Sequence, residues 1–334
     1  MTEQITNRIT NSGGPDGESE PSGASANLPT VSPYHDFSQT PAFEVFGELT
    51  QTMPVVFNSP HSGSIYPERF LDLSRLDPHT IRASEDMDVD KLFQSVTEFG
   101  AVLQRANFPR AYLDVNREPY ELDSGMFFAP LPPYANTRSL RVNGGLGTVA
   151  RIVAENRDIY ASKLDPGDAL ARIELIYRPY HDSLRHLLAR THGRFGQALL
   201  IDCHSMPSQY GAPRSGVETE ARPDMILGDR YGTSCRNDVI DYAMFLLRQA
   251  GYAVVKNRPY AGGFITEHYG RPQQNLNAFQ IEINRRLYMD ETTLKRHAGF
   301  DELQQDLSIF VRNLMQHPAF TCDDASIDKP LAAE

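Results

Sequence analysis

The stretch from Gln197 to Pro207, QALLIDCHSMP, places the strongest constraint on what this chain can fold into. A hydrophobic run bounded by Gly196 and Pro207 reads as a buried strand, and its end turns abruptly to acid, thiol, imidazole and hydroxyl. Side chains alternate across a strand, so Asp202 and His204 share one face while Leu199, Ile201 and Cys203 take the other. Cys203 and His204 are therefore not a catalytic pair. A second stretch, PVVFNSPHSG from Pro54 to Gly63, has the same form and delivers His61 to a turn rich in Pro and Gly. Open α/β sheets place their sites at the carboxyl ends of strands, where two such histidines can converge.

A chain of 334 residues with 40% hydrophobic content has ample material for a large core. No linker-like stretch interrupts the middle, so residues 36–334 are expected to form a single catalytic domain. Residues 1–35 are rich in Ser, Gly, Pro, Asn and Thr and have little to bury, which is the composition of a disordered tail. The formal net charge of -11 repels phosphate backbones and anionic membranes, and excludes nucleic acid and membrane surfaces as expected partners. Three widely spaced cysteines, Cys203, Cys235 and Cys322, read as reduced thiols rather than a disulfide framework. With no apolar run of membrane-spanning length and no signal-peptide pattern, a soluble cytoplasmic protein acting on a small molecule is expected.

Along the chain, Val89, Leu92, Phe93, Val96 and Phe99 fall at helical spacing between Asp88 and Gly100. Two strands are expected next, over 101–105 and 111–115, the second carrying Tyr112, Asp114 and Asn116 on one face with Arg117 at its exit. Residues 118–147, full of Pro, Gly and Asn, read as a long surface excursion of the kind that forms a lid or substrate loop. The pattern from Thr148 to Arg194 is helical, with Pro179 expected to kink or divide it. A short strand over 224–228, a helix from Ser234 as N-cap to Gly251, and a strand over 252–256 precede the Gly262-Gly263 turn. The run from Asn277 to Asn284 alternates strictly, with Gln280, Glu282 and Asn284 opposite Phe279, Ile281 and Ile283. An amphipathic helix over 300–315 closes the chain, and strands alternating with helices imply a layered α/β architecture.

Two histidines, an acid beyond the first and a carboxylate on a separate strand are the parts of a mononuclear zinc hydrolase. Zinc takes imidazole and carboxylate ligands, keeps a position for water, lowers that water's pKa and polarises the scissile carbonyl. Glu85 and Asp86 are the candidates for the third ligand; acids at a helix start also favour the positive end of its dipole, which accounts for them without a metal.

Six blocks in order carry a resemblance: NSPHSG from Asn58, SEDMDVDKLF from Ser84, RAYLDVNR from Arg110, DCHSM from Asp202, PYAGGFITEHYG from Pro259 and QIEINRRLYMDE from Gln280. Over about residues 40 to 320 the chain resembles the N-formylglutamate amidohydrolase (N-formylglutamate deformylase) family. The resemblance implies a three-layer α/β/α fold with a mixed central sheet, zinc-exopeptidase-like, in the phosphorylase/hydrolase-like group. It implies His61 and His204 as ligands of one zinc ion or another divalent metal, and Glu282 as the base that activates water. Asn116 and Arg117 are implied to grip a substrate carboxylate, and Arg110 to stabilise the oxyanion. The distant relatives use His-x-x-Glu, whereas Ser64 stands three residues after His61, so Asp86 is taken as the carboxylate ligand with Glu85 in reserve. Asp202 either orients an imidazole or caps the strand end.

The implied reaction is hydrolysis of N-formyl-L-glutamate to formate and L-glutamate, as in one route of histidine degradation. The same site could serve another N-acyl amino acid or a short peptide, and the same fold could be a non-catalytic binding module. The second substrate carboxylate needs another donor, drawn from Arg138, Arg258, Arg285 or His268.

Overall fold

The structure is a computed structural model, and it describes residues 37, 40–153, 156–209 and 222–320. These lie within one compact unit; the 1–35 stretch and Cys322 fall outside the described residues. No described helix is long and apolar enough to cross a membrane.

The strands among the described residues are, in chain order, β1 (Phe43–Phe46), β2 (Val55–Ser59), β3 (Val102–Ala106), the two-residue pair β4 (Ile152–Val153) and β5 (Arg157–Asp158), β6 (Ala198–Met206), β7 (Met225–Gly228), β8 (Val254–Lys256), β9 (Leu276–Asn284) and a second two-residue pair, β10 (Met289–Asp290) and β11 (Lys295–Arg296). Seven of them form one mixed sheet in the order β1-β3-β2-β6-β9-β7-β8. The four strands β3, β2, β6 and β9 run parallel, while β1 and β7 are antiparallel to their neighbours β3 and β9. The helices are α1 (Glu68–Leu73), α2 (Val89–Leu92), α3 (Leu140–Asn143), α4 (Pro166–Arg172), α5 (Arg178–Phe195), α6 (Asn237–Gln249), α7 (Phe264–Tyr269) and α8 (Gly299–Leu314).

Strand alternation explains the layering. Phe57, Ile201, Cys203, Phe279 and Ile281 face one side and pack with residues of α2, α6 and α8. Val56, Leu200 and Ala278 face the other side, against Leu184, Leu187 and Leu188 of α5 and Ile265 of α7. The result is the expected three-layer α/β/α arrangement around a mixed sheet. On the second face the strands begin apolar and turn polar together: Asn58, Asp202 and Gln280 are level with one another, and His204 is level with Glu282. The reactive ends of three parallel strands therefore converge at one height of one face.

Four local expectations are corrected. Residues 111–115 are not a strand; Tyr112 and Leu113 N–H groups bond back to Pro109, and Asp114 Oδ1 accepts from the Asn116 N–H at 2.9 Å. The apolar and polar alternation there comes from packing between two buried surfaces, and Asp114 and Asn116 are both buried. The helical region begins at Pro166, where Asp165 caps Gly167, rather than at Thr148. A π-helical turn over Ile173–Tyr177 then hands the chain to α5, with Pro179 in its first turn, where a missing N–H costs nothing. Ser234 does not cap α6, because its hydroxyl donates to the Ala278 carbonyl at 2.9 Å. Finally, the 88–100 helix breaks into α2 and a 3-10 turn over Gln94–Phe99.

His181 ties α5 to the segment that enters the site. Its Nε2 lies 2.8 Å from the Val115 carbonyl and must donate there; Nδ1 lies 2.9 Å from the Tyr269 hydroxyl. Burial pushes its pKa down to about 4, from an ordinary value of 6.5. The unfolded chain therefore binds one more proton between those values, so stability is lost as pH falls through the window, by up to about 3 kcal/mol. Urea titrations between pH 7 and 4.5 should show a steeper decline for the natural chain than for His181→Gln; equal slopes would reject a neutral, buried His181.

Candidate metal centre and active site

His61 follows β2 by two residues, and the backbone there is tied to the 84–88 segment by the Asp86 N–H donating to the His61 carbonyl at 2.9 Å. That link places Asp86 beside both imidazoles. Its Oδ2 lies 2.9 Å from His204 Nδ1 and 3.5 Å from His61 Nδ1, and the two rings are 4.9 Å apart between centroids. His61, Asp86 and His204 are all buried, and their ligand atoms form a group able to hold a metal ion.

The opposite ring nitrogens explain which atoms face inward. His61 Nε2 lies 2.9 Å from Asp114 Oδ1, and His204 Nε2 lies 2.8 Å from Asp202 Oδ2. A carboxylate can only accept, so each Nε2 donates outward and each Nδ1 is the ring atom turned toward Asp86; His204 Nδ1 meets Asp86 through a proton that a bound cation would replace. Asp202 sits inside β6 rather than at its end. Its second oxygen accepts from Asn58 Nδ2 at 2.7 Å, and Asn58 in turn accepts from the Tyr180 hydroxyl. Asp114 is held by Arg110 Nε at 3.1 Å and Arg117 at 3.4 Å. This carboxylate–histidine pairing is how metal-ligating imidazoles are usually oriented.

The donor set fits a cation. His61 Nδ1 is buried and without a hydrogen-bond partner, and two imidazole nitrogens plus a carboxylate oxygen lie within 4.8 Å of one another. Burial opposes ionisation of Asp86, yet the two imidazoles hold its carboxyl below the usual range. Burial likewise opposes a charged His204, but Asp202, Asp86 and Glu282 hold its pKa well above the ordinary value. Both shifts record the same demand for positive charge between these atoms.

Asp86, not Glu85, faces the histidines. Glu85 turns away, accepting from Tyr66 at 2.5 Å and from Arg82 Nε and Nη2 at 3.1 and 3.0 Å. Asp86 Oδ1 is restrained by Arg285 and Ser205, each at 3.3 Å, which leaves Oδ2 to the imidazoles. Arg285 also donates to the carbonyls of Ala83 and Glu85 and is buried, so it braces the ligand segment.

Above this group opens a cavity of about 700 Å³ lined by His61, His204, Glu282, Arg110, Asn116 and Arg117, among others. Glu282 Oε1 accepts from Gln280 Nε2 at 2.6 Å, and burial pushes its pKa up to about 8, with Asp86 adding to the rise. Asn116 is braced on both ends: Nδ2 donates to Asp202 at 3.2 Å, and Oδ1 accepts from the Ile265 N–H at 2.8 Å. Arg117 donates to the carbonyls of Leu146 and Asn116, both at 2.8 Å. Burial lowers its pKa to about 10, and the nearby guanidiniums of Arg110 and Arg141 contribute.

Three of the proposed carboxylate donors are not at the cavity. His268 is exposed on α7 with its ring stacked on Phe264 at 4.9 Å, and Arg138 and Arg258 are exposed elsewhere. In their place the wall carries Arg141 and Arg230, which sequence reasoning passed over. Arg141 comes from the 118–147 excursion, the only hint available. Asp114 was visible as a polar residue in an apolar context, but its pairing with His61 across 53 positions was not.

A family model described as N-formylglutamate amidohydrolase matches residues 53–289. Curated N-formylglutamate deformylases of Pseudomonas putida and Pseudomonas aeruginosa are each 28% identical, over 271 and 251 residues, covering 79% and 74% of this chain and 91% and 86% of theirs. The crystal structure of an N-formylglutamate amidohydrolase from Ralstonia eutropha JMP134 superposes with a TM-score of 0.77 at 34% identity, covering 82% of this chain and 96% of that one.

Proposed function

We propose that this chain, which belongs to the N-formylglutamate amidohydrolase family, hydrolyses N-formyl-L-glutamate to formate and L-glutamate with one divalent ion, zinc. The observation that carries the proposal is the convergence of His61 Nδ1, His204 Nδ1 and Asp86 Oδ2 beside a buried carboxylate, Glu282. His61, Asp86 and His204 would hold the ion, which when bound supplies an electrophile for the formyl oxygen and an acidified water.

The protein's own groups do the rest. In its ionised form Glu282 takes a proton from the water whose oxygen bonds to the formyl carbon. It then delivers that proton to the amide nitrogen as the C–N bond breaks, which leaves formate and a free amine. Arg110, fixed by Asp114, donates to the oxygen that becomes negative in between. Arg117, braced through Asn116, holds the α-carboxylate and so sets the formyl group against Glu282. The catalytic unit is residues 36–334, and the reaction is the closing step of a histidine degradation route in the cytoplasm.

The test is formate release from N-formyl-L-glutamate by the purified protein, with bound metal counted in parallel. Formate production that rises with zinc content is expected; a zinc-loaded protein that releases none would reject the proposal.

A further inference from the structure

We propose that Arg230 reads the side-chain carboxylate of the substrate, an inference that deepens the function proposed above and rests on it. A substrate with two carboxylates needs cations on two parts of the wall, because a guanidinium committed to one carboxylate has its fork occupied. The cations at the cavity divide accordingly. Arg110 and Arg117 share Asp114, and Arg141 lies 3.8 Å from Glu121 on the same side. Arg285 is held on Asp86 and the ligand segment. Arg230 stands apart from both groups.

Sheet order gives its position. His61 follows β2, His204 is on β6, Glu282 is on β9, and Arg230 comes two residues after the end of β7. Gly228 of β7 is level with Gln280, the residue that braces Glu282. Arg230 therefore lines the cavity from the β7 side of Glu282, whereas His61 and its partner Asp114 line it from the β2 side.

The local backbone aims this side chain. Arg230 and Tyr231 have φ of 53° and 58°, two consecutive side-chain-bearing residues in the left-handed region, which is seldom occupied. Asn257 secures the turn: its Oδ1 accepts from the N–H of Asp229 at 3.0 Å and of Tyr231 at 3.4 Å. Gly262 makes room, since a Cβ there would come within 3.1 Å of Arg230 Cδ. Strained backbone of this kind persists where the surroundings hold it, and it gathers at ligand sites.

The carboxylate now on Arg230 is Glu267, 2.6 Å away, whose side chain is 59% exposed. An exposed ion pair contributes little, so a substrate carboxylate inside the cavity can take the place of Glu267.

The experiment compares kcat/KM for N-formyl-L-glutamate and N-formyl-L-glutamine in the zinc-loaded natural chain, Arg230→Gln and Arg230→Lys. In Arg230→Gln the preference for the dianionic substrate should shrink about 30-fold, the scale of one charge-assisted hydrogen-bonded pair, and chiefly through KM. Arg230→Lys should recover part of it, as it keeps charge without the fork. Equal losses on both substrates would show a structural role, and an unchanged preference would pass the task to another cation such as Arg141; either overturns the proposal. A natural chain that releases no formate from N-formylglutamate would instead overturn the proposed function, and this inference with it.

Discussion

His61→Ala, Asp86→Ala and His204→Ala should each abolish metal binding and reduce turnover of N-formylglutamate by at least about a thousandfold. The ion supplies several kcal/mol of transition-state stabilisation, and every 1.4 kcal/mol is a factor of ten. The fold should survive, because each vacated carboxylate keeps other partners. Without His61, Asp114 still faces Arg110 and Arg117; without His204, Asp202 still accepts from Asn58 and Asn116. Metal analysis beside circular dichroism checks this. A folded variant that still binds a full complement of zinc would remove that residue from the ligand set, and metal loss in Glu85→Ala alone would move the third ligand there.

Glu282→Gln should behave in the opposite way toward metal. The change preserves volume and the contact with Gln280, whose amide can turn to donate or accept. Zinc content should stay as it is, while kcat falls at least about a hundredfold, the usual scale for a positioned proton-transfer group. Loss of zinc would make Glu282 a ligand, and retained turnover would place the base elsewhere.

Of the residues behind these two predictions, His61, His204 and Glu282 were legible in the sequence because each ends or continues an apolar strand, whereas Asp86 lies in the turn before α2. The run before His204 and the alternation around Glu282 announce their faces without any knowledge of the fold. The same reasoning failed at 111–117, where a succession of tight turns from Pro109 mimics strand alternation by burying neighbouring side chains on two sides. Of the four candidates for the second carboxylate donor only Arg285 lines the cavity, since nothing local separates an exposed Arg138 or Arg258 from Arg141 or Arg230 at the cavity wall.

By itself the sequence determined the period of the longer segments, and with it the strands β2, β3, β6, β7, β8 and β9, the long α5, α6 and α8 helices and the face on which His204 and Glu282 project. Those are local properties, set by alternation and by where apolar residues recur. Tertiary structure alone decided the register that puts Asn58, Asp202 and Gln280 level, and it brought Asp86, which the family resemblance favoured over Glu85, beside both imidazoles. It also decided the pairing of His61 with Asp114 and the place of Arg230 on the cavity wall. Each of these joins atoms separated by tens to hundreds of positions, and which of several similar acids or arginines arrives depends on how packed layers meet, a quantity no short window of sequence contains.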